Sequence, residues 1–196
     1  IREGYRNPSQ IVGFSETHQA MASLNKIILE ALIRQGTPAV TLQPSAFITT
    51  DGGRIRRMEM KTVLGLLDLG ITPVLYGDAV LDSALGFTIL SGDQLVSKMA
   101  VKLNAKRIVV GIDVDGLYTA DPKRDPSARL IPHATPGELK NLQRGIGGAG
   151  TTDVTGGMLG KILELIPAIA EGIPAIIVNA TRPHNLYKAL RGERVV

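Results

Sequence analysis

Apolar residues recur at Leu24, Ile27, Ile28, Ala31 and Leu32, the i, i+3, i+4, i+7, i+8 spacing of one helix face, and predict a helix over 15–35. Ser15 stands where it can cap the start, and Gly36 followed by Pro38 stops it. Ala39-Val40-Thr41-Leu42 then reads as a short buried strand. Phe47-Ile48 and Arg54-Ile55, on either side of Asp51-Gly52-Gly53, read as the arms of a hairpin. A second helix is expected over 59–69, closed by Gly70.

The same alternation continues. A strand over 72–76 precedes a hairpin through Val80-Leu81 and 87–90, a helix carrying Leu95, Val96, Met99 and Leu103, and a strand over 107–112. A last helix uses Met158, Ile162, Leu165, Ile166 and Ile169, ends at Gly172 and leads into a strand over 175–178. Helices alternating with nearly continuous apolar strands imply an α/β fold, a three-layer αβα sandwich with a mostly parallel central sheet. No repeat, low-complexity tract or linker divides the chain, so one domain over 1–196 is expected. The stretch 121–157, with Pro122, Pro126, Pro132, Pro136 and a glycine cluster, reads either as a mobile active-site flap or as a surface loop without function.

Composition narrows the function classes. The chain of 196 residues has no cysteine, which excludes disulfides, thiolate metal sites and cysteine nucleophiles and makes the cytoplasm the default compartment. Its apolar runs are far shorter than the roughly 18 residues of a membrane span, and no charged-then-apolar leader opens the sequence, so no membrane association is expected. The net charge is +4, yet only four Tyr, three Phe and no Trp occur, scattered and without a dense Lys/Arg block. Base-stacking platforms are therefore missing, and small anions are better partners than nucleic acid.

In open α/β sheets ligands bind beyond the carboxyl ends of strands. Those positions are rich in Gly and Asp here: Gly77-Asp78, Ser91-Gly92-Asp93, Asp113-Val114-Asp115-Gly116 and Asn179-Ala180. Ser91-Gly92-Asp93 lies where a strand becomes a helix, which suits either an anion or an ordinary N-cap. The run from Thr152 through Gly156-Gly157-Met158 to Lys161 leads a glycine-rich loop into a helix with a lysine inside it. That arrangement can cradle phosphate oxygens and offset charge, although it is not a Walker A motif; a flexible loop with a solvated lysine is the other reading. Asp113 and Asp115 can bind a divalent metal or a ribose, or merely form a turn. His18, His133 and His184 lack metal-ligand spacing, and no G-x-S-x-G elbow occurs; phosphoryl transfer is what remains.

Together, Pro73-Val74-Leu75-Tyr76-Gly77-Asp78, Leu90-Ser91-Gly92-Asp93, Gly111-Ile112-Asp113-Val114-Asp115-Gly116-Leu117-Tyr118 and Asp153-Val154-Thr155-Gly156-Gly157-Met158 with Lys161 resemble the amino acid kinase superfamily. Within it they are most similar to the archaeal-type isopentenyl phosphate kinase family, as are Thr17-His18-Gln19-Ala20-Met21 and Pro44-Ser45-Ala46-Phe47. The resemblance implies transfer of the ATP γ-phosphoryl to isopentenyl phosphate, with Mg²⁺ and as a homodimer. It places acceptor binding in about 1–105 and nucleotide binding in about 106–196.

By the family pattern, Lys161 stabilises the transferring group and Asp93 orients lysines. Gly156, Gly157 and Met158 line the nucleotide phosphates, and Asp113, Asp115, Gly116, Tyr118 and Asp121 hold the nucleoside side. Ser91, Gly92 and Asp93 hold the acceptor phosphate. Phe14, His18, Met21 and Ile89 are candidates for the apolar tail pocket, with core packing as the alternative for each. The family's opening strand with its Lys, and its His-bearing glycine loop, have no counterpart in this sequence; roughly 60 residues of a family member precede the point matching Ile1. Other acceptors of the superfamily (N-acetylglutamate, UMP, fosfomycin), or an inactive nucleotide-binding remnant, are the alternatives.

Overall fold

A computed structural model of the chain describes residues 4–139, 141 and 158–195. The chain gathers into two compact units, Ile1–Leu95 and Val96–Val196.

The first unit opens with α1 (Gln10–Arg34). It starts earlier than the sequence predicts, and Ser15 is not its cap: that hydroxyl donates to the Ile11 carbonyl one turn back. The start is held instead by Gln10, whose Oε1 accepts the N–H groups of Arg6 (2.6 Å) and Asn7 (3.1 Å). The end is as expected. Gly36, at φ +78, and Thr37 return N–H groups to Ile33 and Leu32, closing the last carbonyls.

The predicted apolar face of α1 does not point into the core. Leu24 and Ile27 are 51% and 62% exposed, whereas Asn25 is buried and accepts the Thr41 hydroxyl at 2.6 Å. Periodicity finds a face but not its partner, and a buried asparagine is tolerated in the core where its hydrogen bond is made.

β1 (Ala39–Thr41) pairs in parallel with β4 (Thr72–Val74), and α2 (Lys61–Asp68) packs on β4. Between them, β2 (Ile48–Asp51) and β3 (Arg54–Met58) form the expected hairpin, turning through Gly52 and Gly53, both at positive φ. β5 (Asp78–Asp82) and β6 (Gly86–Leu90) form the second, and β2 joins β5 in parallel to give the order β3-β2-β5-β6. Ile48, Val63, Val80 and Leu90 are almost wholly buried in this unit, each contributing roughly 1.5–3 kcal/mol by burial.

The two hairpin turns share one carboxylate. Asp82, 5% exposed, accepts the N–H groups of Gly52 (3.0 Å), Gly53 (2.7 Å), Ala84 (2.9 Å) and Leu85 (2.8 Å). Burial pushes its pKa up, but the Gly53 N–H, the Thr50 hydroxyl and the Leu85 and Ala84 N–H groups outweigh burial and lower it to about 2.

α3 (Gly92–Lys102) runs from the first unit into the second. There β7 (Ile108–Ile112) and β8 (Ala175–Asn179) pair in parallel, as the apolar runs predict, and α4 (Met158–Ala170) supplies the cover. Ala100, Ile108, Leu165, Ala168 and Ile173 form the core. Part of the stretch read as a mobile flap is tied down: Thr119 and Ile131 donate to Arg129 and Leu117, and Tyr118 bridges Leu130; residues 140 and 142–157 lie outside the description. α5 (Asn185–Arg191) has no counterpart in the sequence reading. Its N-cap, His184, is left-handed and makes no capping bond, so no standard start signal was there to find.

Three of the five strand pairings among the described residues are parallel, as expected of an α/β fold. No described helix is long and apolar enough to cross a membrane.

Candidate active site

The acceptor candidates of the first unit cluster at the start of α3. β5 and β6 pair so that Asp78 faces Leu90, which sets Gly77-Asp78 beside Ser91-Gly92. The approach is close enough to require glycine: a Cβ on Gly77 would lie 3.0 Å from the Leu90 carbonyl and 3.3 Å from the Gly92 nitrogen. Ser91 Oγ accepts the Asp93 N–H at 3.1 Å, so Ser91 acts as an ordinary N-cap of the helix. Gln94, buried, reaches from this turn to the β2–β3 hairpin, accepting the Ile55 N–H at 2.7 Å and donating to the Gly53 carbonyl at 3.1 Å.

The tail-pocket candidates divide. Phe14 packs on buried Phe87 with ring centroids 5.3 Å apart, and Tyr5 meets the same ring edge-on, so Phe14 belongs to an aromatic cluster. Met21 and Ile89 are half-buried. His18 is neither an apolar wall nor a lone core residue. Its Nδ1 lies 2.7 Å from Oδ1 of Asp78, a fully buried carboxylate whose pairing with a histidine 60 residues away no local pattern announces. Tyr76, just before it, has its phenol pKa raised by burial and by the Asp78 charge.

In the second unit the loop after β7 folds into a hollow of about 200 Å³. Its wall brings together Asp113, Gly116, Tyr118, Asp121 and Met158 of the sequence-derived nucleotide set. Gly116 is buried at φ +150, and Asp121 accepts the Lys123 N–H at 2.9 Å to form the turn below the hollow. Lys123, missed in the sequence, also lines it and pairs with the exposed Asp113 carboxylate; the Lys123 hydrogen bond and charge hold the Asp113 pKa below the usual range.

Asp115 is absent from that wall. One of its oxygens accepts the Asn179 amide at 2.9 Å and the other the Arg182 guanidinium at 2.5 Å. Neither partner is near it in sequence. Lys161 is exposed in the first turn of α4. Gly156 and Gly157 lie outside the described residues.

Comparison with known proteins gives the family. The family model "Amino acid kinase family" matches residues 2–179. An isopentenyl phosphate kinase of Methanothermobacter thermautotrophicus is 43% identical, covering 93% of this chain and 68% of its own length. One of Arabidopsis thaliana is 33% identical over 97% of this chain and 61% of its own. A solved isopentenyl phosphate kinase structure superimposes with a TM-score of 0.82 at 36% identity, covering 98% of this chain and 72% of that one. The chain thus spans about two thirds of the length of the relatives it matches. By motif order, fold and similarity, the chain belongs to the amino acid kinase family, and within it to the isopentenyl phosphate kinases.

Proposed function

We propose that the full-length protein transfers the γ-phosphoryl group of ATP to isopentenyl phosphate, giving isopentenyl diphosphate and ADP. The first unit takes the acceptor and the second the nucleotide. The observation that carries this reading is the start of α3, where the close approach of Gly77 to Leu90 and Gly92 sets Ser91-Gly92-Asp93 at a helix N-terminus, the kind of position that favours an anion. A phosphate monoester is already an anionic nucleophile, so the reaction needs positioning and charge neutralisation and no general base.

Ser91 and Gly92 hold the acceptor phosphate, and Asp93 orients lysines. Lys161 offsets charge on the transferring group, with Gly156, Gly157 and Met158 along the nucleotide phosphates and Asp113, Gly116, Tyr118 and Asp121 around the nucleoside. No three or more His, Asp or Glu gather into a metal cage among the described residues. Mg²⁺ enters as part of the substrate MgATP, held mainly by phosphate oxygens and water. A homodimer in the cytoplasm completes the reading, supported by the resemblance and by the cysteine-free composition.

The test is ³¹P NMR of the full-length protein with MgATP and isopentenyl phosphate. Loss of the monoester resonance with growth of a diphosphate pair and ADP is expected; ADP and inorganic phosphate alone would reject transfer to this acceptor.

A further inference from the structure

Asp78 is wholly buried, and its carboxylate gathers three hydrogen bonds from separate parts of the first unit. Oδ1 takes His18 Nδ1 at 2.7 Å and the Ala79 N–H at 2.9 Å, and Oδ2 takes the Ser45 N–H at 3.0 Å. His18 comes from α1 and Ser45 from the short 3-10 turn Pro44–Ala46. The main chain of Asp78 meanwhile pairs with Leu90, the residue before Ser91. A buried carboxylate is costly unless all its oxygens are engaged, and here they are. Because a carboxylate only accepts, the proton of the shared bond sits on Nδ1. His18 Nε2 makes no hydrogen bond among the described residues, and the side chain is 27% exposed.

We propose that Asp78 is a positioning residue for the acceptor: it fixes the His18 imidazole and the 44–46 turn at a set distance from the Ser91-Gly92-Asp93 loop, so that all three meet the acceptor as one rigid surface. The role rests on the acceptor reading given above. Asp78 itself touches no substrate, since both its oxygens face inward to protein donors. Its influence passes through His18 on one side and through the β5–β6 pairing on the other.

The experiment uses the full-length protein with Asp78→Asn, His18→Ala, His18→Asn and the double variant of Asp78→Asn with His18→Ala. Misplacing a binding surface by a fraction of an ångström raises KM for isopentenyl phosphate about tenfold in Asp78→Asn while KM for ATP stays within about twofold. His18→Asn keeps an N–H donor where Nδ1 stood and recovers most of what His18→Ala loses. The double variant is no worse than the worse single one, because both break the same contact.

Without any substrate, the backbone amide resonances of Ser91, Gly92 and Asp93 shift in Asp78→Asn and His18→Ala. Equal rises in both KM values, additive losses, or unshifted amides would overturn the role. If the wild type fails to turn over isopentenyl phosphate, the functional reading falls, and the amide resonances still decide for or against Asp78. If Asp78→Asn does not fold, the two His18 variants carry the same comparison.

Discussion

The side-chain amide of Asn179, at the end of β8, donates to Asp115 Oδ1 at 2.9 Å, across 64 residues of sequence and at the end of the neighbouring strand β7. With Arg182 on the other oxygen, both Asp115 carboxylate oxygens have protein donors, and we expect the residue to act on the nucleotide by holding the loop. Arg182 is largely exposed and contributes little alone, so the Asn179 bond is the one that fixes the loop. For Asp115→Ala we expect KM for ATP to rise about tenfold through loss of loop position, with KM for the acceptor unchanged, in steady-state kinetics. An Asp115→Asn variant as impaired in ATP binding as Asp115→Ala, at unchanged thermal stability, would return Asp115 to direct nucleotide contact.

Gly77→Ala tests the close approach beside the acceptor loop. The added methyl meets main-chain atoms at 3.0 and 3.3 Å, which cannot rotate away, so the Leu90–Gly92 segment must shift. A rise in KM for the acceptor with an intact circular dichroism spectrum is expected. Wild-type KM would show that this segment is not where the acceptor sits.

Asp82 sets an acid limit on stability. Its folded pKa, about 2, is below its ordinary value of 3.8, so ionised Asp82 stabilises the fold fully above the ordinary value, and this contribution is lost as pH falls toward 2. Asp82→Asn is expected to cost about 2 kcal/mol near neutral pH, because the part-buried N–H groups of both turns lose a charged acceptor. The gap in melting temperature between wild type and variant should then shrink from pH 5 to pH 2. A gap that stays constant over that range would remove Asp82 as the acid-sensitive group.

Lys161→Ala should lower kcat on the order of 10²-fold or more with the fold intact by circular dichroism, since one charge contact to a transition state is typically worth that much. Unaltered kcat would take Lys161 out of the mechanism.

The strand and helix order was legible because its signals are local. Gly36, Gly70 and Gly172 all close helices at positive φ, and Asp51-Gly52-Gly53 turns its hairpin, since a left-handed residue is written into one or two letters. Asp113, Gly116, Tyr118 and Asp121 fall within nine residues, and they do share one hollow. What escaped depends on distance along the chain. Asp78 meets His18 across 60 residues and Arg182 meets Asp115 across 67, and although both aspartates stand in motifs, nothing local says which distant side chain each one meets. The start of α1 escaped for a different reason: its signal lies upstream of the predicted range, where Asn7 Oδ1 accepts the Ser9 N–H and Gln10 Oε1 accepts the Asn7 N–H, the reciprocal pattern of a capping box.

The most direct measurement is kcat/KM of the full-length protein, by coupled ADP release, with isopentenyl phosphate, N-acetylglutamate, UMP and fosfomycin as competing acceptors under saturating MgATP. A preference for isopentenyl phosphate of at least about 10²-fold is expected, since rejected acceptors leave the site's polar groups unpaired. Equal or greater kcat/KM with any of the other three would contradict the assignment of the acceptor.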